Sequence, residues 1–205
     1  MIQLRLSWRW AILGLILIGG LVPLSFVFGC LLNLQSISDL SLPASGLKLI
    51  GLVVFKLIYQ FFFFNAIGEE VGWRGFALPR LQAKTSPLIA AFIIALFWAP
   101  WHFFLWQAEG SPVLTCLHWL VRYAGTIIVS VLIVWIYNRS KGSIFVAGIA
   151  HAAWNTACAF ISIKDGLILY PTGFVAMLVV ILTDRMWIKL PPEHPTVYRL
   201  SPSNA

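Results

Sequence analysis

The stretch that decides the fold is residues 47–76, "LKLIGLVVFKLIYQFFFFNAIGEEVGWRGF". Its first part, residues 47–67, is predominantly apolar and long enough to cross a bilayer, which takes about 20 residues. The run then meets two adjacent carboxylates, Glu69 and Glu70, and an arginine, Arg74. Ionisable side chains inside a membrane segment are costly, usually face a protein interior and mark a functional site by default.

The composition around this stretch is that of a polytopic membrane protein. The chain has 205 residues, of which 60% are hydrophobic and 10% charged, and its mean hydropathy is +0.89. We therefore predict an all-α membrane helix bundle with about six transmembrane helices around a buried polar site. The predicted organisation is one integral membrane domain, residues 1–190, with a motif core at 47–160 and a polar tail at 191–205. The six apolar segments lie at about 10–33, 47–67, 86–106, 112–137, 142–163 and 167–188.

The distribution of basic residues predicts the orientation in the membrane. Cytoplasmic connections are enriched in Lys and Arg, and a cytoplasmic amino terminus places the following on that side: Arg5, Arg9, Arg74, Arg80, Lys84, Arg139, Lys141, Arg185, Lys189 and Arg199. The outer side then keeps Lys48 and Lys164. We predict an integral protein of a bacterial plasma (inner) membrane with both termini cytoplasmic. Its net charge of +7 is explained by contact with anionic headgroups, so the lipid bilayer is a predicted partner and nucleic acid is not.

The acidic motif predicts two different carboxylates. Glu70 and Arg74 are four residues apart, with the acid first, which is the favourable order for an ion pair on a helix. Glu69 points about 100° away from Glu70, so it is available to another neighbour. If the helix continues to Leu78, where Pro79 is expected to end it, Glu69 lies about 14 Å inside that end.

The third segment contains "WAPWH", residues 98–102. Trp98 and His102 are four residues apart and share a helical face. Pro100 lacks a backbone N–H, so it is expected to bend the helix and release the carbonyl of Leu96.

The fifth segment contains "HAAWN", residues 151–155. His151 and Asn155 also share a face, and the small residues beside them, Ala147, Gly148 and Ala152, permit close approach of another helix. The two polar side chains could hold helices together, or they could belong to the site that Glu69 and His102 suggest.

Two chemistries fit these side chains. A carboxylate and a histidine together can activate water, while a second histidine and an amide donate hydrogen bonds to an oxyanion. Alternatively, Glu69, His102 and His151 could bind a Zn²⁺ ion that holds water in its fourth position. Both routes hydrolyse an amide bond in or beside the bilayer.

The three motifs together resemble the CAAX protease and bacteriocin-processing family, the type II CAAX prenyl endopeptidase group of intramembrane proteases. The family pattern is EExxxR, then an aromatic residue four before a histidine, then HxxxN. Here these are "EEVGWR" (69–74), "WAPWH" (98–102) and "HAAWN" (151–155), in that order. The resemblance covers about residues 47–160, includes the continuation "RGFALPRLQ", and differs at Trp98, where the family commonly has phenylalanine.

The resemblance implies roles for individual residues. Glu69 and His102 would activate the water, and His151 and Asn155 would form the oxyanion site. Glu70, Arg74 and Trp98 would support them. Members of the family have been described both as metalloproteases and as metal-free glutamate proteases, so Zn²⁺ remains an alternative.

The predicted function is therefore an intramembrane endopeptidase that cuts near the cytoplasmic membrane face. Its expected substrate is a hydrophobic or lipidated peptide or a membrane protein, in CAAX-type or peptide-precursor processing. Two alternatives belong to other classes: a non-catalytic scaffold or immunity protein of the same family, and a small proton-coupled transporter, which would also keep charged residues inside the bundle.

Overall fold

The computed structural model describes residues 7–64, 66–102, 116–163 and 166–199, and within these ranges the regular structure is helical throughout. The predicted all-α class is thereby confirmed for the described part of the chain. Parts of the predicted third and fourth segments, residues 103–106 and 112–115, lie outside the described residues, as do residues 200–205 of the predicted tail. The helices are α1 Trp8–Gly19, α2 Leu21–Leu31, α3 Gly46–Phe62, α4 Ala66–Glu70, α5 Leu78–Gln82, α6 Pro87–Trp101, α7 Cys116–Arg139, α8 Ile144–Phe160 and α9 Gly166–Thr183.

Helix length supports two or three membrane crossings among the described residues. Trp8–Leu31, formed by α1 and α2, and Trp119–Arg139 are each long and apolar enough to cross a bilayer. Gly46–Phe62 and Ala66–Gln82 qualify together as a third, with their axes at 41°. The helices Pro87–Trp101, Ile144–Phe160 and Tyr170–Thr183 are apolar but shorter.

The helical path through the acidic motif differs from the prediction. Val71–Ala77 forms a π-helix between α4 and α5, a wider turn that is rare and often found at functional sites. Pro79 does not end the helix. It occupies the first turn of α5, where a missing N–H costs no intrahelical hydrogen bond, and the helical path continues to Gln82.

Small residues bring the central helices close together. A Cβ atom at Gly14 of α1 would lie 2.8 Å from Ile136 of α7 and 3.1 Å from Ala150 of α8. A Cβ atom at Gly148 would lie 2.8 Å from the ring of Phe61. The predicted close approach around residues 147–152 is therefore present, and it holds α3 and α4 against the face of α8 that carries His151.

One end of the bundle carries most of the basic residues. It is formed by the start of α1, the turn between α5 and α6, the turn between α7 and α8, and the segment after α9; these carry Arg9, Arg80, Lys84, Arg139, Lys141, Arg185, Lys189 and Arg199. We call it the basic end. Arg139 binds Asp184 across it. The described part of the tail also packs here, since the buried amide of Gln82 donates to Thr196.

The outer surface is apolar. Large hydrophobic side chains on α1, α2 and α9 are more than half exposed, among them Ile12, Ile16, Leu24, Val27, Val175 and Leu182. Soluble proteins rarely expose continuous apolar surface of this kind, and a bilayer covers it without cost.

Candidate active site

The two halves of the candidate site lie at matching depths. Glu69 is 13 residues before Gln82 and His102 is 16 residues after Ser86, which corresponds to about 20 and 24 Å of helix. A helix that ended at Leu78 would place Glu69 only about 14 Å from its end, well short of the distance for His102. Because the helical path continues through Pro79 to Gln82, the two distances become similar. On α8 the path is shorter, because His151 lies eight residues, about 12 Å of helix, after Ser143.

Glu70, Arg74 and His151 form a buried network. Arg74 Nη1 donates to Glu70 Oε1 at 3.0 Å, and both side chains are fully buried. The predicted ion pair is confirmed. His151 Nδ1 lies 2.9 Å from the same oxygen, a contact that the sequence did not predict. Because an ionised carboxylate only accepts hydrogen bonds, Nδ1 carries a proton, and Nε2 of His151 remains for another partner.

Trp98 links this network to Glu69. Its indole N–H donates to Glu69 Oε2 at 2.7 Å, whereas a phenylalanine offers no donor. The ring lies edge-on to His151, with centroids 5.2 Å apart, and the guanidinium of Arg74 lies over it at 4.6 Å. Trp98 is 3% exposed, so it is a fixed support against which the other side chains are held.

His102 faces the same carboxylate. Its Nδ1 lies 2.9 Å from the carbonyl oxygen of Trp98, which only accepts, so Nδ1 donates and Nε2 faces Glu69 Oε2 at 3.9 Å. This distance is too long for a direct hydrogen bond, but a water molecule can lie within hydrogen-bond distance of both atoms. The predicted release of the Leu96 carbonyl by Pro100 is confirmed, because this carbonyl accepts from the hydroxyl of Tyr123 at 3.3 Å.

These side chains line a cavity of about 500 Å³. Glu69, Trp98, His102, His151 and Asn155 all contribute to its wall. The side chain of Asn155 makes no hydrogen bond within the described part of the chain, so its amide is available to a bound molecule. The arrangement joins an acid and a histidine, which can hold water, to a second histidine and an amide, which can donate to an oxygen.

Comparison with known families agrees with this geometry. A family model described as "Type II CAAX prenyl endopeptidase Rce1-like" matches residues 49–157, a range that includes all three motifs. The chain belongs to this family.

A curated relative has a related name. Over 124 residues the chain is 29% identical to CAAX prenyl protease 2 of Methanococcus maripaludis. The match covers 57% of this chain and 46% of the relative. The match thus spans less than half the length of this CAAX prenyl protease.

The zinc arrangement does not fit the positions of the three predicted ligands. Within residues 7–64, 66–102, 116–163 and 166–199, no group of three His, Cys, Asp or Glu side chains is arranged to hold a metal ion. Glu69 and His102 face each other, but His151 is directed through Nδ1 to Glu70. The three side chains as placed here therefore do not fit a zinc ion.

Some residues and contacts of the cavity could not be predicted clearly from the sequence. Gln60 and Arg122 line it, and each is one of the few polar residues in a mostly apolar helix, which is the signal that could have found them. Nothing in the spacing of residues 70 and 151 could have predicted the bond between Glu70 and His151, because it depends on how α4 packs on α8.

Proposed function

We propose that this protein is an intramembrane endopeptidase in which Glu69 and His102 activate a water molecule. The observation that carries the proposal is the 3.9 Å approach of Glu69 Oε2 to His102 Nε2 at the cavity wall, in a chain of the type II CAAX prenyl endopeptidase family. Both side chains are fixed by hydrogen bonds that involve Trp98. Fixed polar groups lose little free energy to reorganisation during a reaction.

The first step is the attack of water on the peptide carbonyl. Glu69 accepts a proton from the water while His102 holds it through Nε2, and the oxygen forms a bond to the carbonyl carbon. The C–N bond then breaks, and the proton on Glu69 is transferred to the leaving amine. Water is consumed and two peptides are released, so Glu69 and His102 return to their starting states.

The oxyanion of the tetrahedral intermediate is stabilised by His151 and Asn155. Asn155 donates through its amide, and His151 donates through Nε2. Because Nδ1 of His151 already donates to Glu70, donation from Nε2 requires a doubly protonated ring. The carboxylate of Glu70, 2.9 Å away, stabilises that positive charge. Glu70 and Arg74 therefore act through His151 and need not touch the substrate.

The proposed catalytic type is that of a glutamate protease. A metalloprotease with Glu69, His102 and His151 as ligands is the alternative, and sensitivity to a zinc chelator distinguishes the two.

The substrate class we propose is a hydrophobic or lipidated peptide segment, in CAAX-type or peptide-precursor processing. The name of the Methanococcus relative, CAAX prenyl protease 2, supports CAAX-type processing. Near the cavity, Phe62 is 61% and Phe63 74% exposed, and exposed aromatic surface suits an apolar chain or a lipid group.

We propose six crossings in a single membrane domain, residues 1–190, followed by the tail 191–205, with the basic end and both termini cytoplasmic. Three of these crossings are the spans that helix length supports, and the shorter apolar helices α6, α8 and α9 are the other three. In this orientation we propose cleavage in the cytoplasmic half of the membrane, because His151 lies eight residues, about 12 Å of helix, after Ser143 at the basic end, and a hydrocarbon core is about 30 Å thick.

Cysteine labelling in intact cells tests this orientation. In a variant that lacks the native cysteines Cys30, Cys116 and Cys158, we expect Lys48→Cys to react with a membrane-impermeant maleimide. Lys84→Cys, at the basic end, should react only after the membrane is permeabilised. The opposite pattern would place the basic end, and with it the site, on the outer side of the membrane. Lys48 and Lys84 are both exposed, so a difference in labelling reports the side of the membrane and not burial in the protein.

Peptide cleavage in heavy-oxygen water tests the function. The purified protein in detergent is incubated with peptides from a membrane fraction in H₂¹⁸O, and products are identified by mass spectrometry, with and without a zinc chelator. We expect new carboxyl termini that contain ¹⁸O and whose formation the chelator does not reduce. Loss of cleavage with chelator would favour the metalloprotease. No cleavage at all would favour a non-catalytic scaffold or a proton-coupled transporter.

Trp98→Phe measures what the indole donor contributes in this chain. The variant keeps an aromatic ring but removes the hydrogen bond to Glu69, and a hydrogen bond to a charged group contributes about 1.5–3 kcal/mol. We expect kcat to fall about tenfold or more while the protein remains folded. Trp154→Phe is the control, since Trp154 lines the same cavity without a hydrogen bond to an acid. Equal kcat values for the two variants would show that the donor is dispensable.

A further inference from the structure

Gln60 of α3 has a buried polar atom that the mechanism above does not use. The residue is 5% exposed, and its amide oxygen Oε1 is buried without a hydrogen-bond partner among the described residues. Buried polar groups in native proteins almost always have a partner, so each exception requires an explanation. Gln60 also lines the cavity that contains Glu69, His151 and Asn155.

The position of Gln60 is fixed by its neighbour. The ring of Phe61 packs over Gly148 of α8 and stacks with Phe145, with centroids 6.1 Å apart. Since α8 also carries His151 and Asn155, this packing holds the part of α3 that carries Gln60 against the helix of the proposed oxyanion site. A side chain whose only role was to pack this position would more readily be apolar, as Leu57, Ile58 and the four phenylalanines at 61–64 are.

We propose that Gln60 binds the backbone of the substrate peptide, with Oε1 accepting a hydrogen bond from a substrate N–H close to the bond that is cut. This rests on the proposed peptidase function. A peptide that enters a cavity within the membrane leaves water, and each of its N–H and C=O groups then needs a protein partner. A glutamine amide provides an acceptor and a donor, the same pair that a neighbouring strand offers to an extended peptide. Gln60 is thus a positioning residue. Because every peptide has backbone N–H groups, its contact does not depend on the side chains of the substrate.

The kinetic test combines a variant with modified substrates. Wild type and Gln60→Leu are compared on the best-cleaved peptide and on copies of it that carry an N-methyl group at one amide at a time. We expect one N-methyl position to lower kcat/KM of the wild type about tenfold, through KM, and to have no further effect in Gln60→Leu. Gln60→Leu itself should show the same tenfold loss on the unmodified peptide. Equal sensitivity to N-methylation in both proteins, or unchanged KM in Gln60→Leu, overturns the proposal.

A binding measurement separates this proposal from the peptidase function. The probe is a short fluorescent peptide that ends in a prenylated CAAX box, and its Kd is measured by polarisation on Glu69→Gln and on the double variant Glu69→Gln/Gln60→Leu. We expect about tenfold weaker binding to the double variant, even if the wild type proves unable to cleave. Equal Kd values overturn the role of Gln60 and leave the function untouched. A thermal unfolding midpoint that does not fall in Gln60→Leu excludes a purely structural role.

Discussion

Glu69→Gln is expected to lower kcat by a factor of about 10³ or more while leaving the protein folded. A positioned general base contributes about 10²- to 10⁴-fold to rate, and glutamine cannot accept the proton of the attacking water. The substitution preserves the shape of the side chain, and its Oε1 still accepts the N–H of Trp98, which lies 2.7 Å from the carboxylate oxygen in the wild type. Activity is measured on the peptide that the wild type cleaves best, under single-turnover conditions.

The control for Glu69→Gln is the same substitution on the surface. Glu193 is an exposed carboxylate at the basic end and does not line the cavity, so Glu193→Gln should keep the wild-type rate. Both variants should elute from a sizing column and unfold thermally as the wild type does. Full activity in Glu69→Gln would remove Glu69 from the mechanism, and its aggregation would assign it to the fold instead.

The identity of the site residues could be predicted from the sequence, because a membrane chain contains few buried ionisable groups. Glu69, His102, His151 and Asn155 each stand out against apolar neighbours, and helical spacing alone pairs Glu70 with Arg74. The roles of these residues in catalysis remain predictions. What the spacing also predicted correctly is the consequence of Pro100, since a proline must leave the carbonyl four residues earlier without its N–H.

The depth of the site and its polar network could not be predicted, because both depend on tertiary packing. Pro79 suggested a helix end, but a proline in a first turn is tolerated, and the π-helix Val71–Ala77 before it leaves no clear sequence signal. The bond between Glu70 and His151 and the donor from Trp98 to Glu69 require α4, α6 and α8 to meet at one point. Likewise, the position of the basic end relative to the cavity follows only from the antiparallel course of the helices.

Glu70→Gln is expected to destabilise the protein by about 3–5 kcal/mol, the usual cost of breaking a buried ion pair by removing one partner. Arg74 is fully buried, and its Nε and Nη2 have no hydrogen-bond partner among the described residues. Glu70 is thus the acid that balances its charge, assisted by the ring of Trp98. The free energy of unfolding in detergent, measured by denaturant titration, should fall by this amount relative to the wild type.

The double variant Glu70→Gln/Arg74→Met separates stability from chemistry. Replacing both partners removes the uncompensated charge, so most of the lost stability should return, as a double-mutant cycle with Arg74→Met would quantify. Activity should not return with it, because His151 still lacks the carboxylate that stabilises its doubly protonated ring. If kcat instead recovers together with stability, Glu70 serves only the fold, and His151 does not need a charged partner to donate to the oxyanion.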